Sequence, residues 1–142
     1  MEKLNDIIFY NLDKAIKTYR MYAMKKIREN GYKITTDQWL IIKSILENPK
    51  ITQQELARNV FKDNASVTRI IELMVKSNYL NRKVDSNDRR KSVLSVTKEG
   101  KDIIEKVQSI ILENRKEALE SISKEDLNTM DIILQKIIKN CS

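Results

Sequence analysis

Gly31, Pro49 and Gly100 are the only glycines and the only proline among 142 residues. Turns that need a positive φ or a fixed kink draw on these residue types first, so a chain with so few is expected to consist of helices joined by short links. Lys, Glu, Ile, Leu and Asn dominate the remainder, which is the composition of a mainly α protein rather than a disordered one. The length suits one domain with a core that needs no metal or disulfide to hold it.

The apolar periodicity divides the chain at those breakers. Leu4, Ile8, Leu12, Ile16, Tyr19, Ala23 and Ile27 form a long helical stripe that ends where Gly31 can take the left-handed conformation. Thr35 with Gln38 has capping-box spacing, and the helix it starts must close before Pro49. Thr52 with Glu55 repeats that spacing ahead of Leu56, Ala57 and Val60. A fourth helix, capped by Asp63 or Asn64, sets Val67, Ile70, Ile71 and Met74 on one face and Ser66, Arg69, Glu72 and Lys76 on the other; Asn78 can end it. Leu80 to Val84 and Ser92 to Thr97 are the only β-prone pieces, with Asp85 to Lys91 between them. A last long pattern runs from Thr97 or Lys98 through Ile122, and Ser123 precedes a final helix striped by Leu127, Met130, Leu134 and Ile137.

The chain's charge is +7, and it is unevenly spread: residues 62 to 101 carry ten Lys/Arg against five Asp/Glu, whereas residues 102 to 142 carry six against eight. A local cationic excess of this kind is the footprint of a polyanion binder, although an ordinary solvated surface can show it too. Other classes are poorly supplied. With no His and a single Cys, neither a His/Cys zinc cage nor a nucleophile paired with an imidazole can be assembled. No Gly-rich phosphate loop is present, and no acid pair sits in an apolar setting that would tune it for catalysis, so an enzyme and a resident cofactor or metal are not expected. Apolar runs stop at four residues, as in IIFY, MYAM and WLII, and MEKLND has no secretory h-region, so no membrane association is expected and the cytoplasm is the expected compartment.

Order decides among the remaining readings. The third and fourth helices are joined by about three residues, and the small Ala57 lies ten positions before Val67, a spacing that lets one helix brace the other in a helix-turn-helix; a plain helical hairpin is the alternative. A helix-turn-helix followed by two strands and a basic loop is a winged helix, which reads the major groove with its helix and the minor groove or backbone with its wing. Arg89 and Arg90 at the loop tip suit a narrow minor groove, and Asp88 is expected to pair with one arginine and brace the loop. The bland reading of the same residues is a solvated charge run.

The run ASVTRIIELMVKSNYLNRKVDSNDRRKSVLSVTKEGK resembles the recognition helix and wing of the MarR family of bacterial transcription regulators, and the order of helices matches over essentially the whole chain. SVTR in the helix and DRR…V…VTKEG from wing to fifth helix are its most specific pieces; Asn78 stands where the family usually has Gly, a mild departure because Asn tolerates the left-handed region. The resemblance implies a single domain over 1–142. In it, 1–31 and 102–142 are dimerisation helices and 32–101 is a winged helix-turn-helix lobe with a two-stranded β wing. It further implies a homodimer that binds double-stranded DNA at a pseudo-palindromic operator and represses, or less often activates, nearby genes.

For DNA, the expected contacts are Asn64, Ser66, Thr68 and Arg69 from the recognition helix and Arg82, Arg89, Arg90 and Lys91 from the wing, with Arg89 in the minor groove. For an effector, a crevice between the dimer and DNA-binding lobes is implied. Tyr19, Tyr22, Met24 and Trp39 are its candidate walls for an apolar or phenolic anion, unless they are simply core. Cys141 is penultimate, whereas sensing cysteines of the family usually lie near the first helix, so a redox switch is not expected. The competing reading is a helical dimer that binds a protein partner and no DNA.

Overall fold

The computed structural model describes residues 1–142. A 3₁₀ turn at Leu4–Asp6 leads into α1 (Ile8–Glu29), followed by α2 (Thr36–Glu47), α3 (Gln53–Val60), α4 (Asn64–Lys76), β1 (Leu80–Val84), β2 (Ser92–Val96), α5 (Lys98–Ala118) and α6 (Lys124–Asn140). β1 and β2 pair antiparallel as one hairpin, Leu80 opposite Val96 and Arg82 opposite Leu94. The protein is mainly α with a two-stranded wing.

The breakers act where the sequence placed them. Gly31 has φ +87° just past α1. Thr35 and Gln38 form a reciprocal capping box, each donating a backbone N–H to the other's side chain at 3.1 Å. Thr52 caps α3 in one direction only: it accepts from Glu55 N at 3.1 Å, and no bond returns from the Glu55 carboxylate. Asp63, not Asn64, caps α4, and Asn78 turns the chain at φ +65°.

Three expected boundaries move. Leu4 lies in the 3₁₀ turn and α1 begins at Ile8, because Asn11 Nδ2 donates to Asn5 O at 2.8 Å and secures a separate first turn. Thr97 leaves the strand to cap α5. α5 stops at Ala118, not Ile122: Ser121 adopts φ +65° and Ser123 caps the next helix, accepting from Asp126 N at 3.0 Å.

One core holds the centre of the chain. Ile34, Ile41, Ile42, Leu56, Val67, Ile71, Met74, Leu80 and Val107 are essentially inaccessible, drawn from α2, α3, α4, the wing base and α5. Ile27, Ile103 and Val107 join the same cluster, so α1's end and α5's start are packed into the lobe and no break in packing falls at residues 31 or 102. Asn114 is buried between the long helices, its Nδ2 donating to Ala23 O at 3.4 Å. The outer helices are different. α6 has no buried residue, and Met130, Ile132, Ile133 and Ile138 on it are exposed, as are Ile8, Phe9 and Ile16 on α1. Only 18 of 142 residues are buried, far fewer than a domain of this length buries when it is finished, so the unfilled apolar surface lies on the terminal helices.

Candidate nucleic-acid interface

α3 and α4 are fixed to one another by packing and by one buffered polar link. Ala57, Val67 and Ile71 fill the crossing, and Gln53 Nε2 donates to Thr68 Oγ1 at 2.6 Å. Thr68 Oγ1 also donates to Asn64 O at 2.8 Å, so its hydroxyl is occupied on both sides and holds the two helices in register. Ser66 is half-buried and donates to Asp63 Oδ2 at 3.1 Å. Asn64 and Arg69 remain exposed on the helix, and neither side chain has a bond within the chain.

The leading end of α4 is electrostatically specific. Asp63 Oδ1 accepts from Ser66 N at 2.7 Å, and that bond, with the Ser66 hydroxyl second, holds the carboxyl below its ordinary value. A folded pKa below the unfolded one means that the cap's stabilisation is complete above the ordinary aspartate range and fades as pH falls through the lowered value. With Ser66 N already serving the Asp63 carboxylate, and that negative charge standing at the N-terminus of α4, a phosphate is disfavoured there and is better met by side chains.

The wing is a self-braced loop of cations. Asp85 N donates to Lys91 O at 2.9 Å and Lys91 N to Asp88 O at 3.0 Å, closing the loop at its base. Asp85 Oδ1 accepts from Asn87 N at 2.8 Å, and Asp88 Oδ1 from Arg90 N at 3.0 Å. Asp88 therefore braces the loop through a backbone N–H, not through an arginine head group as the sequence suggested: a guanidinium tip has water to neutralise it, whereas a turn's N–H needs a local acceptor. Arg82, Arg89, Arg90 and Lys91 are all exposed. Among the chain's ion pairs, only Lys62 to Asp37, at 3.6 Å and with the lysine still partly exposed, draws on the ten cations of residues 62–101; the others are unpaired. Arg82 faces the side of the hairpin shared by Leu80 and Val96, opposite to Lys83 and Val93.

A second site lies between α1, α2 and α5. Tyr19, Met24, Trp39, Ile34 and Ile111 wall a cavity of about 130 Å³, with Arg20 and Arg115 at its edge. Trp39 Nε1 is buried there without an acceptor. Tyr22 is not part of it: Tyr22 lines a separate groove with Lys14 and Glu117, and Lys26 Nζ sits 5.7 Å from its ring centroid. One helical position separates Tyr22 from the face that carries Tyr19 and Ala23. The two arginines escaped sequence reading because Arg20 and Arg115 are 95 positions apart, with no shared motif. Cys141 is exposed and forms no disulfide.

These elements define a winged helix-turn-helix protein. Residues 34–92 match the profile of the MarR family. The chain is similar to the HTH-type transcriptional regulator BilQ of Clostridium symbiosum, with 24% identity over 121 residues, 85% of this chain and 83% of the relative. Two solved structures share the fold with a TM-score of 0.85 at 16% identity. One is Bordetella bronchiseptica BpsR, whose DNA binding is regulated by 6-hydroxynicotinic acid (96% of each chain), and the other is the repressor CouR bound to a 23-mer DNA duplex (97% of this chain, 96% of that one).

Proposed function

We propose that the protein is a cytoplasmic, homodimeric regulator that binds a pseudo-palindromic operator through α4 and the wing, represses transcription there, and is released by a small aromatic anion. The observation that carries this reading is the set of unpaired cations on two adjacent elements: Arg69 on the exposed face of α4, and Arg82, Arg89, Arg90 and Lys91 on the hairpin packed beside it. Asn64 and Arg69 are assigned to base edges or phosphates in the major groove, Arg89 to the minor groove, and Arg82, Arg90 and Lys91 to the backbone. Ser66 and Thr68, with hydroxyl protons already donated, are assigned to shaping the helix, and contact DNA at most as acceptors. No helix is long and apolar enough to cross a membrane.

Dimerisation follows from the exposed stripes. Phe9, Leu12 and Ile16 of α1 with Leu119, Ile122, Met130 and Leu134 line an apolar groove of about 870 Å³ that nothing in the chain fills. A second copy offering its own terminal helices supplies matching surface, and the closed two-fold pairing leaves no sticky end. Sedimentation of the protein alone and with a bound duplex tests both halves of the reading: two chains per particle, and two chains per duplex, are expected at micromolar concentration. A monomer, or a dimer that ignores DNA at every salt concentration, would contradict it; the latter is what a protein-interaction module predicts.

The cavity suits one ring and one negative charge. Its volume is near that of an engineered cavity, about 150 Å³, that admits benzene. Arg20 and Arg115 supply the cations for a carboxylate or phenolate oxygen, and the Trp39 ring supplies apolar wall. Ile16, Tyr19 and Arg115 also line the dimer groove, so occupancy of the cavity and the packing of the second chain share residues. With salicylate as probe, Arg115→Met is expected to weaken binding about tenfold, the order of a lost charge-assisted hydrogen bond. Calorimetry on both proteins checks this, and equal probe affinities would remove Arg115 from the site.

A further inference from the structure

Phe61, in the turn between α3 and α4, is held in the left-handed region at φ +60° and ψ +39° and is 79% exposed. A bulky L residue is unfavourable in that conformation, and glycine or asparagine would be the ordinary occupants. Burial does not offset the strain here, because the ring is in solvent. The backbone does need the conformation: Phe61 N donates to Arg58 O at 3.2 Å and Lys62 N to Ala57 O at 3.1 Å, the bonds that end α3 and redirect the chain into α4. The turn thus explains the backbone and leaves the aromatic side chain unexplained.

The ring stands in a defined place. Phe61 lines an open groove of about 690 Å³ with Arg58, Lys62, Gln54, Asn64 and Ser66, so one wall carries two cations and the other is the front of α4. Ala57 and Phe61 are the only apolar residues of the lining. Asp63 also lines it, but its carboxylate is turned onto Ser66 and fills the helix N-terminus, which keeps an incoming anion on the Arg58 and Lys62 side. Lys62 is half-exposed beside Asp37, and Arg58 has no acidic partner.

We propose that Phe61 is an apolar post against the deoxyribose of one DNA strand, flanked by Arg58 and Lys62 on its phosphates. This rests on the operator-binding reading above and adds a second strand contact to it, continuous with Asn64 and Ser66 of α4. A sugar–phosphate strand offers C–H surface to the ring and negative charge to its neighbours at the spacing of successive residues. A protein partner fits less well, since a docking core for protein needs more apolar surface than one ring and one methyl group provide. A small ligand would find no enclosure.

Phe61→Gly separates the role from the fold, because it relieves the backbone strain while deleting the ring. Its thermal midpoint is expected to equal or exceed that of the wild type, while operator affinity falls on the order of tenfold per half-site, the effect of about 55 Å² of lost apolar contact. The slope of log affinity against log salt should be unchanged, since no charge is lost. Arg58→Gln with Lys62→Gln should lower that slope by roughly two per chain. Phe61→Asn, which also tolerates the left-handed region, should reproduce the loss and serves as the deciding variant if the glycine form is less stable. Wild-type affinity of the Phe61→Gly protein at every salt concentration, with a normal midpoint, would overturn the proposal and leave operator binding intact. If the wild type shows no salt-dependent affinity for any duplex, the operator-binding reading itself fails, and this contact with it.

Discussion

Arg69→Ala is expected to lower operator affinity by about 1–3 kcal/mol per half-site, so that a dimer on a full operator loses on the order of thirtyfold or more. The reason is that Arg69 is exposed on the outer face of α4 with no ion pair to release it from, while the inner face is locked by Val67, Ile71 and Met74. Truncation should therefore leave the fold alone and relax base preference inside the half-site. Arg89→Ala should fail differently. It removes one cation from a self-braced loop, so the salt slope should fall by about one per chain and the preference for A·T-rich flanks should weaken. Anisotropy titrations of both variants at several salt concentrations, on matched and mismatched duplexes, separate the two. If Arg69→Ala weakens all sequences equally, Arg69 grips phosphate and base reading passes to Asn64 and its neighbours.

Gly100→Val is expected to destabilise the protein by about 2–4 kcal/mol, the combined order of overpacking and a lost helix cap. A Cβ at position 100 would collide with the Tyr79 carbonyl oxygen and stand 2.8 Å from Val96 Cγ1. That carbonyl already accepts from Thr97 N at 3.1 Å, while Thr97 Oγ1 donates to Asn78 O at 2.6 Å and accepts from Gly100 N at 2.9 Å. Gly100 thus lets the start of α5 close onto the end of α4 and the base of the wing. The set of bonds fixes the angle between recognition helix and hairpin. Urea unfolding at a fixed protein concentration checks the size of the effect. A change below about 0.5 kcal/mol would mean that the backbone can shift freely there, and that the junction is looser than its bonds suggest.

Local chemistry was the legible part of this chain. Thr35, Asp63, Thr97 and Ser123 cap helices because a short polar side chain three residues before an N–H is a purely local device. Asn78 turns the chain where a left-handed residue is required, again within one turn of sequence. The same locality explains the failures. Asp88 stands beside two arginines in the sequence, and proximity alone suggested an ion pair; the loop's folding gives its carboxylate to Arg90 N instead. Non-local partners are equally hidden: Gln53, fifteen positions earlier, donates to the Thr68 hydroxyl. The cavity was half legible. Tyr19, Met24 and Trp39 were named as walls of the crevice that the resemblance implied, whereas Arg20 and Arg115 meet only because α1 and α5 pack together. Phe61 was half legible: it stands in the turn where many helix-turn-helix units use Gly, whereas its exposure needed the structure.

The central claim is that two copies of this chain read one specific duplex site. Selecting bound fragments from total genomic DNA with the purified protein, then footprinting the enriched fragments, tests it most directly. The account expects one enriched imperfect palindrome with half-site centres about 10 base pairs apart, protected on one face of the duplex. Recovery of fragments with no shared sequence, or a footprint confined to a single isolated half-site, would contradict it.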